Sequence, residues 1–359
     1  NRLLNAGDTI ALGTPIFTPY LEMPHLEDYD LKIVNVQARQ ENRWQFDDEE
    51  LKKLLDPAVK AFFLVNPGNP SAVALSEKTI AKIGAILKKR PDLILLTDDV
   101  YGTFVPGFRS LLGAFPYNTI GVYSYSKYFG CTGWRLGVIA VHEDNLFDKL
   151  IAQHPEPILK KLDKRYSAIT LEPRNLRFID RIVADSRDVA LNHTAGLSLP
   201  QQVMMALFSL YELMDVKKNY QKACIGIVKK RFEATLEGLG IEIPPNELYD
   251  YYYGLIDLEF WARKYVGESV VTWMKENVHP LDFVFRLAED HGIVLLNGSG
   301  FEAPNWSVRV SFANLNDHVY DDIGRAVRAV ARGYRLAYET SKGQEAAAAQ
   351  PPAKPRGKK

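Results

Sequence analysis

The sequence predicts an α/β fold: a mainly parallel sheet with helices on both faces, followed by a smaller α+β domain. Three observations predict it. Strand-like and helix-like segments alternate through the first part of the chain. The strand segments are almost continuously apolar, as in Val59-Lys60-Ala61-Phe62-Phe63-Leu64-Val65, so both their faces are to be buried. The helix segments keep one apolar face, such as Ile80, Ile83 and Leu87. That combination marks repeated strand–helix–strand units.

In chain order, residues 8–12 read as a short strand closed by Gly13 and Pro15. Residues 14–23, next to Pro15, Pro19 and Pro24, read as a loop. Residues 31–36 are a second strand. Asp47-Asp48-Glu49-Glu50 opens a helix with acids where the helix dipole favours them. The apolar run 59–65 is a buried strand, and Ser76 starts a helix that runs to Lys89 with basic residues in its last turn. Residues 93–97 are a further buried strand, and the runs 119–123 and 136–141 flank a loop. Beyond Val141 the pattern turns helical, at 143–153, 157–165, 171–187 and 200–213. Residues 219–239 form a long amphipathic helix that Gly238 and Gly240 end. An α+β pattern follows: a strand at 252–258, helices at 270–276 and 280–291, strands at 294–296 and 308–312, and a last helix at 317–338. The expected domains are therefore 1–215, carrying a helical insertion at 143–192, and 216–340. The Ala-, Pro- and Lys-rich segment 341–359 reads as a disordered tail. The chain starts at Asn1 without a methionine and reads as a fragment whose N-terminal part is absent.

Composition narrows the function. The 359 residues are 47% hydrophobic, ample for a core, and Lys+Arg equals Asp+Glu at 44 each. That balance gives no bulk attraction to nucleic acid or to a membrane surface. No apolar run reaches membrane-spanning length. Cys131 and Cys224 form no disulfide framework and suit a reducing, cytoplasmic setting. The histidines and cysteines show no metal-ligand spacing, so no metal is expected.

Four local signals follow strand ends, where open α/β sheets bind ligands. Asn66-Pro67-Gly68-Asn69-Pro70 presents Asn69, whose amide can donate to a phenolate-like oxygen. Asp98-Asp99-Val100-Tyr101 offers a carboxylate that can keep a ring nitrogen protonated and a tyrosine that can donate to a ring oxygen. Ser124-Tyr125-Ser126-Lys127 and Arg135 pair one lysine with a hydroxyl and a guanidinium suited to phosphate. A lysine in an apolar setting is a route to an amine nucleophile. Arg309 lies between Val308 and Val310 in an apolar strand and needs an anion such as a substrate carboxylate. Each signal alone fits an ordinary turn or salt bridge. Together they match one ligand, pyridoxal 5'-phosphate, with its phosphate, ring nitrogen, 3'-oxygen and aldehyde.

These motifs resemble the fold-type I pyridoxal-phosphate enzymes of aminotransferase class I and II, over essentially the whole chain except the tail. The resemblance implies the following roles. Lys127 is the Schiff-base lysine, and Ser124 and Arg135 bind the phosphate. Asp98 faces the pyridine nitrogen, Tyr101 and Asn69 the 3'-oxygen, and Arg309 the substrate α-carboxylate. The insertion with Asp185-Ser186-Arg187, the run Tyr251-Tyr252-Tyr253-Gly254 and the run Asn297-Gly298-Ser299-Gly300 are similar, more narrowly, to bacterial L-aspartate 4-decarboxylases. That similarity implies release of CO2 from C4 of L-aspartate to give alanine, with side transamination, in a homo-oligomer built from dimers. It also implies that phosphate-loop and ring-stacking residues belong to an absent N-terminal part. An aspartate or aromatic aminotransferase would use the same residues, and a non-catalytic protein could retain the fold. Arg187 is the candidate near the β-carboxylate. Cys131 is expected to be a packed small residue and Trp134 core support for Arg135.

Overall fold

The computed structural model describes residues 3–26, 30–189 and 196–348. It divides into two compact units: Asn1–Ile227 with Asn246–Tyr252, and Val228–Pro245 with Tyr253–Lys359.

The first unit holds a seven-stranded sheet. Its strands are β1 (Thr9–Thr14), β2 (Lys32–Arg39), β3 (Gln45–Phe46), β4 (Val59–Val65), β5 (Ile94–Asp98), β6 (Thr119–Ser124) and β7 (Gly137–Val141). The order is β3-β2-β1-β4-β5-β6-β7. Strands β2, β1, β4, β5 and β6 run parallel, and the edge strands β3 and β7 are antiparallel to their neighbours. The expected mainly parallel sheet is therefore present. The chain passes from β1 to β2 on one side and returns to β4 on the other, so the topology switches direction between β1 and β4. Ligand crevices open at such a point, beyond the strands' C-terminal ends.

Short helices α1 (Thr18–Glu22) and α2 (Asp48–Lys52) precede α3 (Glu77–Lys89), which Ser76 caps by accepting from the Thr79 amide. Segment 14–23 is thus not wholly loop. Pro19 sits in the first turn of α1, where a missing N–H costs nothing. One sheet face, with Ala11, Phe62, Leu64 and Leu95, packs against Leu51, Leu54, Ile80, Ile83 and Leu87. After α4 (Leu111–Ala114) come α5 (Leu146–Ala152), α6 (Glu156–Tyr166) and α7 (Phe178–Val189), in the range read from the sequence as a helical insertion. Their Leu146, Phe147, Ile151, Leu162, Tyr166 and Phe178 share a core with Ile10, Leu12, Ala61, Ile94 and Ile120. These helices therefore cover the second sheet face. The last residues of the expected insertion, 190–192, lie outside the described residues.

Helices α8 (Leu199–Met214) and α9 (Asn219–Leu239) follow. The expected domain boundary coincides with the break between them, whereas the compact units divide inside α9, after Ile227. Gly240, with φ +69°, ends α9. Gly238 is required by close packing instead. A Cβ there would lie 2.3 Å from the Asp321 carbonyl oxygen, and one at Gly324 2.4 Å from that of Thr235.

In the second unit, β8 (Tyr253–Asp257), β9 (Leu296–Asn297) and β10 (Ser307–Ser311) form an antiparallel sheet in the order β8-β10-β9. Helices α10 (Leu258–Tyr265), α11 (Glu268–Asn277), α12 (Pro280–His291) and α13 (Val319–Ala348) complete it. Trp261, Val271, Phe283, Leu287, Val327 and Tyr334 are at its core. Helix α10 was not expected; Asp257 both ends β8 and caps α10 by accepting from the Phe260 amide. Helix α13 runs to Ala348, past the expected end at 338, so the segment read as a tail begins as helix; residues 349–359 lie outside the described residues.

Arg90, at the end of α3, is 7% exposed and ties the strand entrances together. It donates to the carbonyls of Leu54 (3.0 Å) and Val59 (2.8 Å) and to both carboxylate oxygens of Asp92. Arg90→Met leaves buried carbonyls unsatisfied and is expected to cost about 3 kcal/mol in urea melts; an unchanged midpoint contradicts that role.

Candidate active site

Strand register builds the site. Val65 pairs with Asp98, and Asp98 with Val122, so β4, β5 and β6 end in one row. The residues that follow this row are Asn69, Tyr101, Ser124 and Lys127. The Asn66 amide donates to the Asp98 carbonyl, and the Asp99 amide to that of Val122, which carries the ladder past the strand ends. The Asn69 loop is closed from within. The Asn66 side chain accepts from the Leu75 amide at 2.9 Å, and a Cβ at Gly68 would lie 2.1 Å from Ser71 Oγ. Asn69 and Tyr101 are both 3% exposed.

The Asp98 carboxylate is fixed at both oxygens. Oδ1 accepts from the Val100 amide at 3.1 Å, and Oδ2 from the Tyr20 hydroxyl at 2.7 Å. Burial pushes its carboxyl up, while these donors and the charge of Lys127 pull it down. Burial and the neighbouring carboxylate hold the Tyr20 phenol protonated well above its ordinary range, so it remains a donor. Tyr20 lies between Phe17 and Phe63, with ring centroids 5.6 and 4.4 Å away. Sequence reasoning gave Tyr20 no role. Its signal was positional: it follows β1, the strand on the other side of the topology switch.

Tyr252 is a second residue without an assigned role. Its ring centroid lies 5.3 Å from that of Tyr101, and Lys127 Nζ is 5.7 Å from that centroid. A phenol ring thus links the expected 3'-oxygen donor with the expected lysine. Ser124 Oγ donates to the Leu136 carbonyl at 3.2 Å and accepts from the Ser126 amide at 3.2 Å. Arg135, with φ +55°, is exposed and donates to the Thr132 carbonyl at 2.9 Å. Cys131 is buried, donates to the Tyr125 carbonyl, and has its thiol pushed up by burial, as a packed residue would. Trp134 departs from expectation. It is 43% exposed rather than core, and its carbonyl accepts from Gln201 of α8.

Arg309 belongs to the second unit, in β10. Its guanidinium carbon is 4.2 Å from the Tyr253 ring centroid and 4.7 Å from that of Phe301, a partly desolvated cation between two aromatic faces. Arg187 is exposed in the last turn of α7.

These residues fit pyridoxal phosphate. A carboxylate with two fixed donors and a raised carboxyl sits at a strand end, where a ring N–H would be a partner that favours its ionised form. Asn69 and Tyr101 are buried amide and phenol groups in the segments that follow β4 and β5. Among the described residues no group of His, Cys, Asp or Glu is placed to hold a metal ion.

Asp99 points to a different set of partners. Thr97 donates to its Oδ1 at 2.6 Å and Ser110 to its Oδ2, and Ser110 in turn caps α4. Burial pushes the Asp99 carboxyl up from 3.8 to about 6. The native state therefore holds this proton more tightly than the unfolded chain. The resulting stability is full below pH about 4 and is lost as pH rises through about 6. Relative to Asp99→Asn, the wild type is expected to lose on the order of 2–3 kcal/mol between pH 4 and 7; parallel stability curves contradict this. At Asp98, Tyr20→Phe removes a bond to the charged form. A pH titration of the bound cofactor's absorbance should then show its acid limb moved up by about one unit; an unmoved limb contradicts coupling between Tyr20 and Asp98.

The model of the family "Aminotransferase class I and II" matches residues 2–327. The chain is 51% identical over 331 residues to a bifunctional aspartate aminotransferase and L-aspartate beta-decarboxylase of a Pseudomonas species, covering 92% of this chain and 62% of that protein. The chain thus spans less than two thirds of that relative's length. It is 23% identical over 333 residues to an aspartate aminotransferase of Sulfurisphaera tokodaii, covering 90% of this chain and 69% of that one. Among solved structures, aspartate aminotransferase from Thermus thermophilus with maleate superposes with a TM-score of 0.64 at 18% identity, over 92% of this chain and 71% of that one. At that identity it speaks for the fold alone, the fold-type I α/β architecture. With the family model spanning nearly the whole chain, the protein belongs to aminotransferase class I and II, a family dependent on pyridoxal 5'-phosphate.

Proposed function

We propose that the protein is a pyridoxal-phosphate-dependent L-aspartate 4-decarboxylase that converts L-aspartate to L-alanine and CO2 and transaminates aspartate as a side reaction. The observation that carries this reading is the 51% identity, over 92% of the chain, to the Pseudomonas bifunctional aminotransferase and beta-decarboxylase. The cofactor, when bound, supplies an electron-withdrawing ring that takes up the electron pair freed when a bond in the substrate breaks.

The chain's own residues do the rest. Lys127 would hold the cofactor through Nζ, and its free amine would be the base that moves the Cα proton. Asp98, whose ionised form Tyr20 and the Val100 amide favour against burial, holds the ring nitrogen's proton. Tyr101 and Asn69 donate to the 3'-oxygen, and Ser124 and Arg135 serve the phosphate. Arg309 binds the substrate α-carboxylate bidentately. Arg187 is assigned to the β-carboxylate, where a loose grip favours loss of CO2 and a tight one opposes it. A homo-oligomer built from dimers is part of the proposal. Helix α8 supports it, because none of its residues is buried and Leu199, Val203, Leu207, Leu210 and Met214 are exposed. No helix among the described residues is long and apolar enough to cross a membrane, and both cysteines are free, which supports a cytoplasmic setting.

A plain aspartate aminotransferase is the second reading, favoured by the Sulfurisphaera relative. Product analysis separates the two. The intact protein, given L-aspartate alone, is expected to release alanine and CO2 continuously. A single equivalent of oxaloacetate, with turnover only after a 2-oxo acid is added, would establish the aminotransferase instead. Lys127→Ala should abolish both activities and borohydride fixation of the cofactor; residual fixation contradicts its role. Arg309→Ala should raise KM for aspartate by about a hundredfold or more, and an unchanged KM contradicts a carboxylate grip.

A further inference from the structure

The segment Asn246–Tyr252 belongs to the first unit, although the chain on either side of it belongs to the second. It is stitched to the loop that follows β4. The Asp250 amide donates to the Ala72 carbonyl at 3.0 Å, the Ala74 amide donates to the Leu248 carbonyl at 2.8 Å, and Val73 pairs with Tyr249 in an antiparallel bridge. That loop carries Asn69 and is itself closed. The Ala72 amide donates to the Gly68 carbonyl at 2.8 Å, and the Gly68 amide to the Val73 carbonyl at 3.0 Å. The segment therefore has a fixed base beside the candidate site.

Its end makes a sharp turn. Tyr251 has φ +57°, a left-handed conformation that a tyrosine rarely adopts. Asp250 is fully buried, and its Oδ1 accepts from the Tyr252 amide at 2.7 Å, two residues on. A carboxylate that bonds the backbone two residues ahead closes a turn of its own and holds the chain in it. Tyr252 comes next and is 6% exposed. Its ring packs on Tyr101 and Phe104, with centroids 5.3 and 5.1 Å away, and Lys127 Nζ lies 5.7 Å from its centroid. An amine nitrogen carrying a positive charge is attracted to an aromatic face at that distance. A different backbone conformation at Tyr251 would carry the ring away from Tyr101 and Lys127 together. Backbone strain of this kind persists only where the surroundings enforce it, and it gathers at functional sites.

We propose that Asp250 and Tyr252 are positioning residues for Lys127. The Asp250 carboxylate fixes the turn at Tyr251, and the turn lays the Tyr252 ring against Lys127 Nζ, which confines the lysine to one approach to the cofactor. Asp250 acts through Tyr252. The inference rests on the reading of Lys127 as the lysine that holds the cofactor.

The test is the rate at which the full chain, freed of cofactor and mixed with pyridoxal phosphate, forms the link that borohydride fixes. Tyr252→Leu should slow it by about tenfold, because a misplaced nucleophile loses rate. Tyr252→Phe, which keeps the ring, should restore the wild-type rate. Asp250→Ala should slow the link as Tyr252→Leu does, whereas Asp250→Asn, whose side-chain oxygen can still accept from the Tyr252 amide, should not. The variant carrying both Asp250→Ala and Tyr252→Leu should be no slower than Tyr252→Leu, as residues acting through one another are not additive. A purely structural role is separated by Lys127→Ala: adding Tyr252→Leu to it should leave the affinity for pyridoxal phosphate unchanged. Where Asp250→Ala fails to fold, the two Tyr252 variants decide. The proposal is overturned by an unchanged rate in Tyr252→Leu, by a rate in Tyr252→Phe as slow as in Tyr252→Leu, or by weakened cofactor affinity when Tyr252→Leu is added to Lys127→Ala. Absence of fixation at Lys127 in the wild type would instead overturn the reading on which it rests, and the proposal with it.

Discussion

Asp98 ends β5 with a carboxylate largely removed from water, and much of the site answers that cost. An isolated buried carboxylate costs several kcal/mol and would take up a proton instead. Here a backbone amide, the Tyr20 hydroxyl and the charge of Lys127 all favour the ionised form. The remaining balance is what a ring N–H of the cofactor would supply. The parallel sheet makes this possible, because it ends three central strands in register and aims the segments after them at one crevice. A shift of one residue in β5 would turn Asp98 to the opposite face.

The helices read from the sequence as an insertion act first as structure. Helices α5, α6 and α7 cover one face of the sheet, and removing them would expose Ile10, Ala61, Ile94 and Ile120 beneath the site. Any effect of the insertion on reaction choice therefore passes through a packed layer.

The fold was legible where local chemistry is decisive. Apolar runs located all the longer strands of the sheet, and the caps at Ser76 and the stop at Gly240 were visible as residue types. The row of candidate residues was visible in the sequence because Asp98 and Ser124 end apolar strands and Asn69, Tyr101 and Lys127 follow strand ends. Contacts set at long range were not. Tyr20 sits in a proline-rich segment that reads as loop, and its bond to Asp98 spans 78 positions. Trp134 looks like core by composition, yet its loop turns it outward. Helix α8 is strongly apolar in sequence, yet no residue of it is buried in this chain. Gly238 reads as a helix stop, although the neighbouring chain at Asp321 and Gly324 is what requires it.

The central claim is that the Asp98 carboxylate keeps the cofactor's ring nitrogen protonated. The direct measurement is the 15N chemical shift of that nitrogen in the protein loaded with ring-15N pyridoxal phosphate. The account predicts a protonated ring nitrogen at neutral pH in the wild type and its loss in Asp98→Ala. An unprotonated nitrogen in the wild type, or an unchanged shift in Asp98→Ala, would contradict it.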